Sequence, residues 1–156
     1  MTTRETAAAE LVRYDAAWAT LDKTVTDLSD KQLTDVRDPT GWDAKDHLMH
    51  CAVWEQALLA KLDGRPRHQA LGLPASTEGS EDWDGLNAQI FANTKGRALK
   101  DVMDEARATH AKTRAHIAGF ANCGTAAGAD AFLADVPGYA DHYEQHAGWI
   151  KELAGR

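Results

Sequence analysis

Two histidines one helical turn apart, His142 and His146, stand in "GYADHYEQHAGWIKEL", residues 138–153. Two more, His47 and His50, stand three apart in "GWDAKDHLMHCAVWE", residues 41–55. At about 100° per residue, each pair projects from one side of a helix. Imidazole nitrogens suit divalent metals of intermediate softness, which they bind at about 2.0–2.1 Å in zinc sites. Two histidines from one helix and a third from a facing helix make a three-ligand set with a position left for water or substrate. Such a site lowers the pKa of bound water or holds a thiolate. The pattern is not that of a helical metalloprotease, because Tyr143 stands where a glutamate must follow the first histidine. The same spacing also serves neutral core histidines bonded to buried partners, and spacing alone leaves both options open.

The elements that must position these residues are helical. At 156 residues the chain suits one domain, residues 1–156, with a single core. Alternating β-branched segments are absent and helix formers dominate, so the expected class is all-α. Thr2 and Glu5 form a capping-box start, and Leu11, Tyr14, Trp18, Leu21, Val25 and Leu28 continue at steps of three and four. The spacing predicts helices near 4–28, 43–63, 97–120 and 137–154, with a shorter piece at 83–93. Asp43 is the expected N-cap of the second helix, and Pro137 is expected in the first turn of the last. Residues 64–82, "GRPRHQALGLPASTEGSED", are long for a bundle connection and suit an irregular crossover or a lid. Four main helices and that crossover predict a four-helix bundle whose second and third helices run the same way.

Periodicity orients the histidines. On the second helix, His47, His50, Cys51, Trp54, Leu58 and Leu62 share a face, Lys45, Gln56 and Asp63 lie opposite, and Glu55 sits at the edge. On the last, Tyr139, His142, Tyr143, His146, Trp149, Ile150 and Leu153 share a face, opposed by Asp141, Glu144, Gly148, Lys151 and Glu152. All four histidines are therefore expected to look inward. His68, His110 and His116 carry no spacing argument.

Charge narrows the partners. Seventeen Lys and Arg against 24 Asp and Glu leave a net charge of −7, which repels nucleic-acid phosphates and anionic lipid. No apolar run approaches the roughly 20 residues of a membrane span. "MTTRETAAAE" has no secretory signal core, and two cysteines make no disulfide framework, so a cytoplasmic protein is expected. The expected partner is a small molecule, with neither nucleic acid nor membrane; a homodimer is compatible with the sequence.

"GWDAKDHLMHCAVWE" followed by "GRPRHQALGLP", with "HYEQHAGWI" near the C-terminus, resembles the DinB-like superfamily of bacterial four-helix bundles. That grouping includes YfiT-type and ClbS/DfsB-type proteins and the N-terminal domain of mycothiol-dependent maleylpyruvate isomerase. The resemblance covers essentially the whole chain and implies an up-down-down-up course with the long crossover between helices 2 and 3. In metal-binding members the helix 2 ligand lies eight residues after the "GW" tryptophan, which from Trp42 is His50. The resemblance thus implies a divalent metal, zinc or nickel, on His50, His142 and His146. It also implies a metal-dependent enzyme handling a low-molecular-weight thiol (bacillithiol, mycothiol or glutathione) in transfer or isomerisation. The alternative, from the ClbS branch, is a metal-independent hydrolase or binding protein that protects against a reactive electrophile. A non-catalytic ligand-binding bundle is the third option.

The remaining site residues each have a functional and a structural role to weigh. His47 is a candidate acid/base or a partner of the ligand set, against a core histidine bonded to a carbonyl. Glu55 is a candidate base or imidazole partner, against an exposed rim carboxylate. Trp54, Tyr139 and Tyr143 are candidates to line a substrate pocket, against plain core aromatics. Cys51 is expected to be a small buried hydrophobe.

Overall fold

The computed structural model describes residues 1–124 and 126–155, and among them every regular element is helical. The elements are α1 (Thr3–Thr26), α2 (Asp30–Thr34), α3 (Ala44–Asp63), α4 (Arg67–Leu71), a 3₁₀ turn (Ala75–Thr77), α5 (Trp83–Thr94), α6 (Leu99–Cys123) and α7 (Ala129–Ala154). None of these helices is long and apolar enough to cross a membrane.

Four long helices, α1, α3, α6 and α7, enclose one core. Helix α1 packs on α6 and α7, and α3 packs on the same two. Polar pairs record the alignment. Thr3 donates to Asp130 at 2.7 Å near the start of both α1 and α7, and Arg13 pairs with Asp141 further along. Asp15 pairs with Arg114 at 2.7 Å and Asp22 with Arg107 at 3.3 Å, tying α1 to α6 in the opposite sense. Lys61 pairs with Asp135 across α3 and α7, while Gln56 donates to Glu105 at 2.9 Å across α3 and α6.

Local chemistry sets the helix starts that matter to the site. Thr2 and Glu5 form the expected capping box on α1. Asp43 caps α3 and makes a second box with Asp46, satisfying N–H groups that would otherwise be bare. Gly64, at φ +66°, ends α3 in the left-handed region that favours glycine.

Three expectations are revised. Helix α7 begins at Ala129, so Pro137 lies inside the helix instead of in its first turn. An interior proline costs about 3 kcal/mol. The turns before it bury Phe132, Leu133 and Val136, each fully buried large residue being worth about 1.5–3 kcal/mol, so burial wins. Helix α3 is buried on nearly every side, Lys45 included at 7% exposed, because α2, α4 and α5 pack on it in addition to α6 and α7, and α6 meets Gln56 on the side expected to be wet. The Lys45 ammonium is satisfied there by the Lys95 carbonyl at 3.0 Å and by Asp46 at 3.5 Å. Residues 64–82 are not irregular: α4 and the 3₁₀ turn lie within them. The Glu78 carboxylate there accepts from the His68 backbone N–H at 2.8 Å and ring at 2.7 Å, and Leu71 and Leu73 are buried.

Candidate metal centre

The capped start of α3 and the middle of α7 face each other, and four histidines meet between them. The Nε2 atoms of His50 and His142 are 3.0 Å apart, and so are those of His142 and His146. One nitrogen from each of these three rings lies within 4.8 Å of the other two. The fourth, His47, places Nδ1 2.9 Å from His146 Nδ1 and Nε2 3.0 Å from the Asp38 carboxylate.

All four rings are held neutral. Burial first, and then the neighbouring imidazoles of His142 and His47, push His50 down to about 3, and burial pushes His142 to about 4. His146 is lowered further still, by burial first and then by His142, His50 and His47. His47 is lowered by burial against the pull of Asp38.

Neutral rings leave an accounting problem that a metal resolves. An imidazole nitrogen has one in-plane position, either a proton or a lone pair. His142 Nε2 therefore serves only one of its two 3.0 Å neighbours well. The other contact sets nitrogen against nitrogen without a proton of its own. A divalent cation accepts three lone pairs at once, so the donor set fits the metal that the family resemblance implies.

Two cavities, about 580 Å³ and 850 Å³, share this wall. His50 and His142 line both, and His146 and His47 line the larger. Trp54, Trp83, Asn87 and Tyr139 are among the residues that line the smaller, where Trp54 Nε1 donates to Asn87 at 2.9 Å. Trp42, Phe91 and Trp149 give the larger an aromatic lining, and Trp149 is 41% exposed, at a rim instead of in the core. Helix α5, from the chain between α3 and α6, thus supplies one side of both cavities.

The remaining candidates fall elsewhere. Tyr143 and Glu55 line neither cavity. Glu55, expected at an edge, is 1% exposed and accepts hydrogen bonds from the Tyr14 and Tyr143 hydroxyls, which are 3.0 Å from each other. Burial pushes its carboxyl up to about 7, against the hydrogen bond from Tyr143. His110 extends this cluster, stacked at 4.1 Å on Trp18 with its Nδ1 3.4 Å from the Tyr143 hydroxyl. Cys51 is buried and its thiol is pushed up by burial, which suits a small hydrophobe. Glu55→Ala is expected to cost about 3 kcal/mol in a denaturant titration, because the buried phenols lose their shared acceptor. Glu55→Gln, which keeps one acceptor oxygen, is expected to cost less.

Asp38 and His110 had no signal in the periodicity. Asp38 lies in the loop before α3, and His110 sits on a helix whose partner face becomes known only when α1 packs against it.

An all-helical protein with a triad of inward-facing histidines, walled by two aromatic cavities, defines the class. A family model of the DinB superfamily matches residues 13–150, and the chain belongs to that superfamily. The match takes in every residue of the cluster. No curated protein and no solved structure compared with the chain matches it.

Proposed function

We propose that the chain is a metal-dependent enzyme acting on a small molecule, of the thiol S-transferase or isomerase type. One observation carries this reading: three imidazoles, with His142 Nε2 3.0 Å from the Nε2 atoms of both His50 and His146, converge on a wall shared by two cavities large enough for a small molecule. His50, His142 and His146 are the ligands assigned to a divalent ion, zinc or nickel. When bound there, such an ion supplies Lewis-acid chemistry or a seat for a thiolate. Trp54 and Tyr139 are assigned to substrate contact. His47 has both ring nitrogens engaged, which favours positioning over proton transfer. Glu55 is assigned to holding α1, α3 and α7 together instead of to chemistry.

The lining favours some molecules over others. Among the described residues that line the cavities are Asp38, Asp84, Asp141 and Glu152, with no lysine or arginine. A neutral or amine-bearing small molecule with an apolar part suits these walls better than one carrying several carboxylates. The helix pairings described above support an up-down-down-up four-helix bundle for this chain, with α4 and α5 in the crossover. A cytoplasmic setting fits two cysteines that stand as free thiols.

The test is metal analysis of protein purified without a nickel column, then cobalt(II) substitution and titration with a small thiol. About one metal per chain and a thiol-dependent change in the cobalt spectrum are expected, since thiolate alters the ligand field. Absence of metal, with turnover of an electrophile that survives a chelator, would favour the metal-independent ClbS-like alternative.

A further inference from the structure

The loop residue Asp38 reaches the histidine cluster without touching the three assigned ligands. Its two carboxylate oxygens have separate tasks. Oδ1 accepts from the Thr40 backbone N–H at 2.9 Å, the Thr40 hydroxyl at 2.6 Å and the Trp42 backbone N–H at 3.1 Å. Oδ2 faces His47 Nε2 at 3.0 Å. Beyond it, His47 Nδ1 faces His146 Nδ1 at 2.9 Å, and the far side of the His146 ring, Nε2, faces His142.

Hydrogen-bond polarity runs one way along this chain. An ionised carboxylate only accepts, so His47 carries its proton on Nε2. Burial raises the Asp38 carboxyl, but the hydrogen bonds from Thr40, Trp42 and His47 outweigh it and keep the group ionised. A neutral His47 with its proton on Nε2 has a lone pair on Nδ1, and the 2.9 Å contact then needs a proton from His146 Nδ1. His146 is left with a bare Nε2.

We propose that Asp38 is a positioning residue which, through His47, locks His146 in the Nδ1–H tautomer and so aims the bare Nε2 lone pair at the centre of the triad. Carboxylate–histidine pairs behind metal ligands act in this way on the ligand directly; here a second imidazole is interposed. The tautomer assignment stands on the hydrogen-bond chain from an ionised Asp38 through a neutral His47, while its consequence for metal rests on reading His146 as a ligand.

Asp38→Asn provides the decisive test because it should keep the loop and reverse the polarity. The two backbone N–H groups and the Thr40 hydroxyl hold the amide oxygen in the place of Oδ1. The amide NH₂ then points at His47 Nε2 and donates to it. His47 must carry its proton on Nδ1, His146 must accept there, and His146 Nε2 becomes an N–H aimed at the centre. In metal-free protein with ¹⁵N-labelled histidine, long-range ¹H–¹⁵N spectra should show a protonated Nδ1 and a bare Nε2 for wild-type His146, exchanged in Asp38→Asn. Cobalt(II) affinity, measured by competition with a chelating dye, should fall by about 100-fold, the upper end of what lost outer partners cost. His47→Phe keeps a ring of similar size but no acceptor, and should leave His146 a tautomer mixture with about tenfold weaker cobalt binding. Should Asp38→Asn disturb the loop, His47→Phe tests the same chain from its middle.

Wild-type His146 with its proton on Nε2, or a His146 tautomer unmoved by both variants, would overturn the proposal. The expected tautomers in a wild-type protein that binds no cobalt would support the relay and remove instead the assignment of His146 as a ligand.

Discussion

Alanine at both His142 and His146 is expected to abolish stoichiometric metal binding. Each supplies an Nε2 to the cluster, and His50 alone cannot hold a divalent ion against water. Any one of His50→Ala, His142→Ala or His146→Ala should weaken binding by more than about 100-fold, beyond the 10–100-fold of a lost outer partner. The check is metal content after gel filtration, together with competition against a chelating dye. The apoprotein should stay folded, since the substitutions remove crowded neutral imidazoles and leave Tyr143, Ala147 and Ile150 to hold α7 in the core. Full occupancy in the double variant would place the metal elsewhere, and full activity without metal would end the metal-enzyme reading.

Acid is expected to unfold the metal-free protein steeply. The folded state holds His50 at about 3, and His142 and His110 at about 4, against about 6.5 in an unfolded chain. Burial is the first cause in all three, because a charged imidazole has no water to solvate it there. Depressed folded-state values mean that the unfolded chain takes up protons first as pH falls. The stability these groups contribute is therefore complete above pH 6.5 and is lost progressively as pH falls through 4 to 3. Together they account for on the order of several kcal/mol, a large part of the roughly 5–15 kcal/mol by which a domain is stable. Glu55 works in the other direction. Its carboxyl sits at about 7 when folded and near 4.5 when unfolded, so its contribution is greatest below pH 4.5 and fades as pH rises through 7. Three groups outweigh one. Urea midpoints of chelator-treated protein should drop sharply between pH 6.5 and 4, and a flat profile over that range would mean that the imidazoles are solvated. Bound metal should steepen the loss, because protons and metal compete for the same lone pairs.

Much of the fold was legible in advance. Helix formers, caps and apolar spacing are local properties, and α1, α3, α5 and α6 lie within a few residues of where they were expected. Helix α7 was mistimed because a local rule, proline in a first turn, was overruled by the burial of Phe132, Leu133 and Val136. The burial of Lys45 was missed for a related reason. Periodicity assumes one wet face, whereas α3 is packed by α2, α4 and α5 as well as by α6 and α7.

For the site, sequence alone determined which residue types could do chemistry and that His47, His50, His142 and His146 would look inward, because helical spacing fixes the side of each helix they leave from. The family resemblance added the choice of His50. Only the tertiary structure decided the rest. It buried Glu55 between Tyr14 and Tyr143, away from both cavities, and turned Trp149 to the rim. It joined Asp38 to His47 across nine residues and His47 to His146 across 99. Such contacts depend on loop conformation and on the rotation of one helix against another. Those are set by the packing of the whole core, and no short window of sequence contains them.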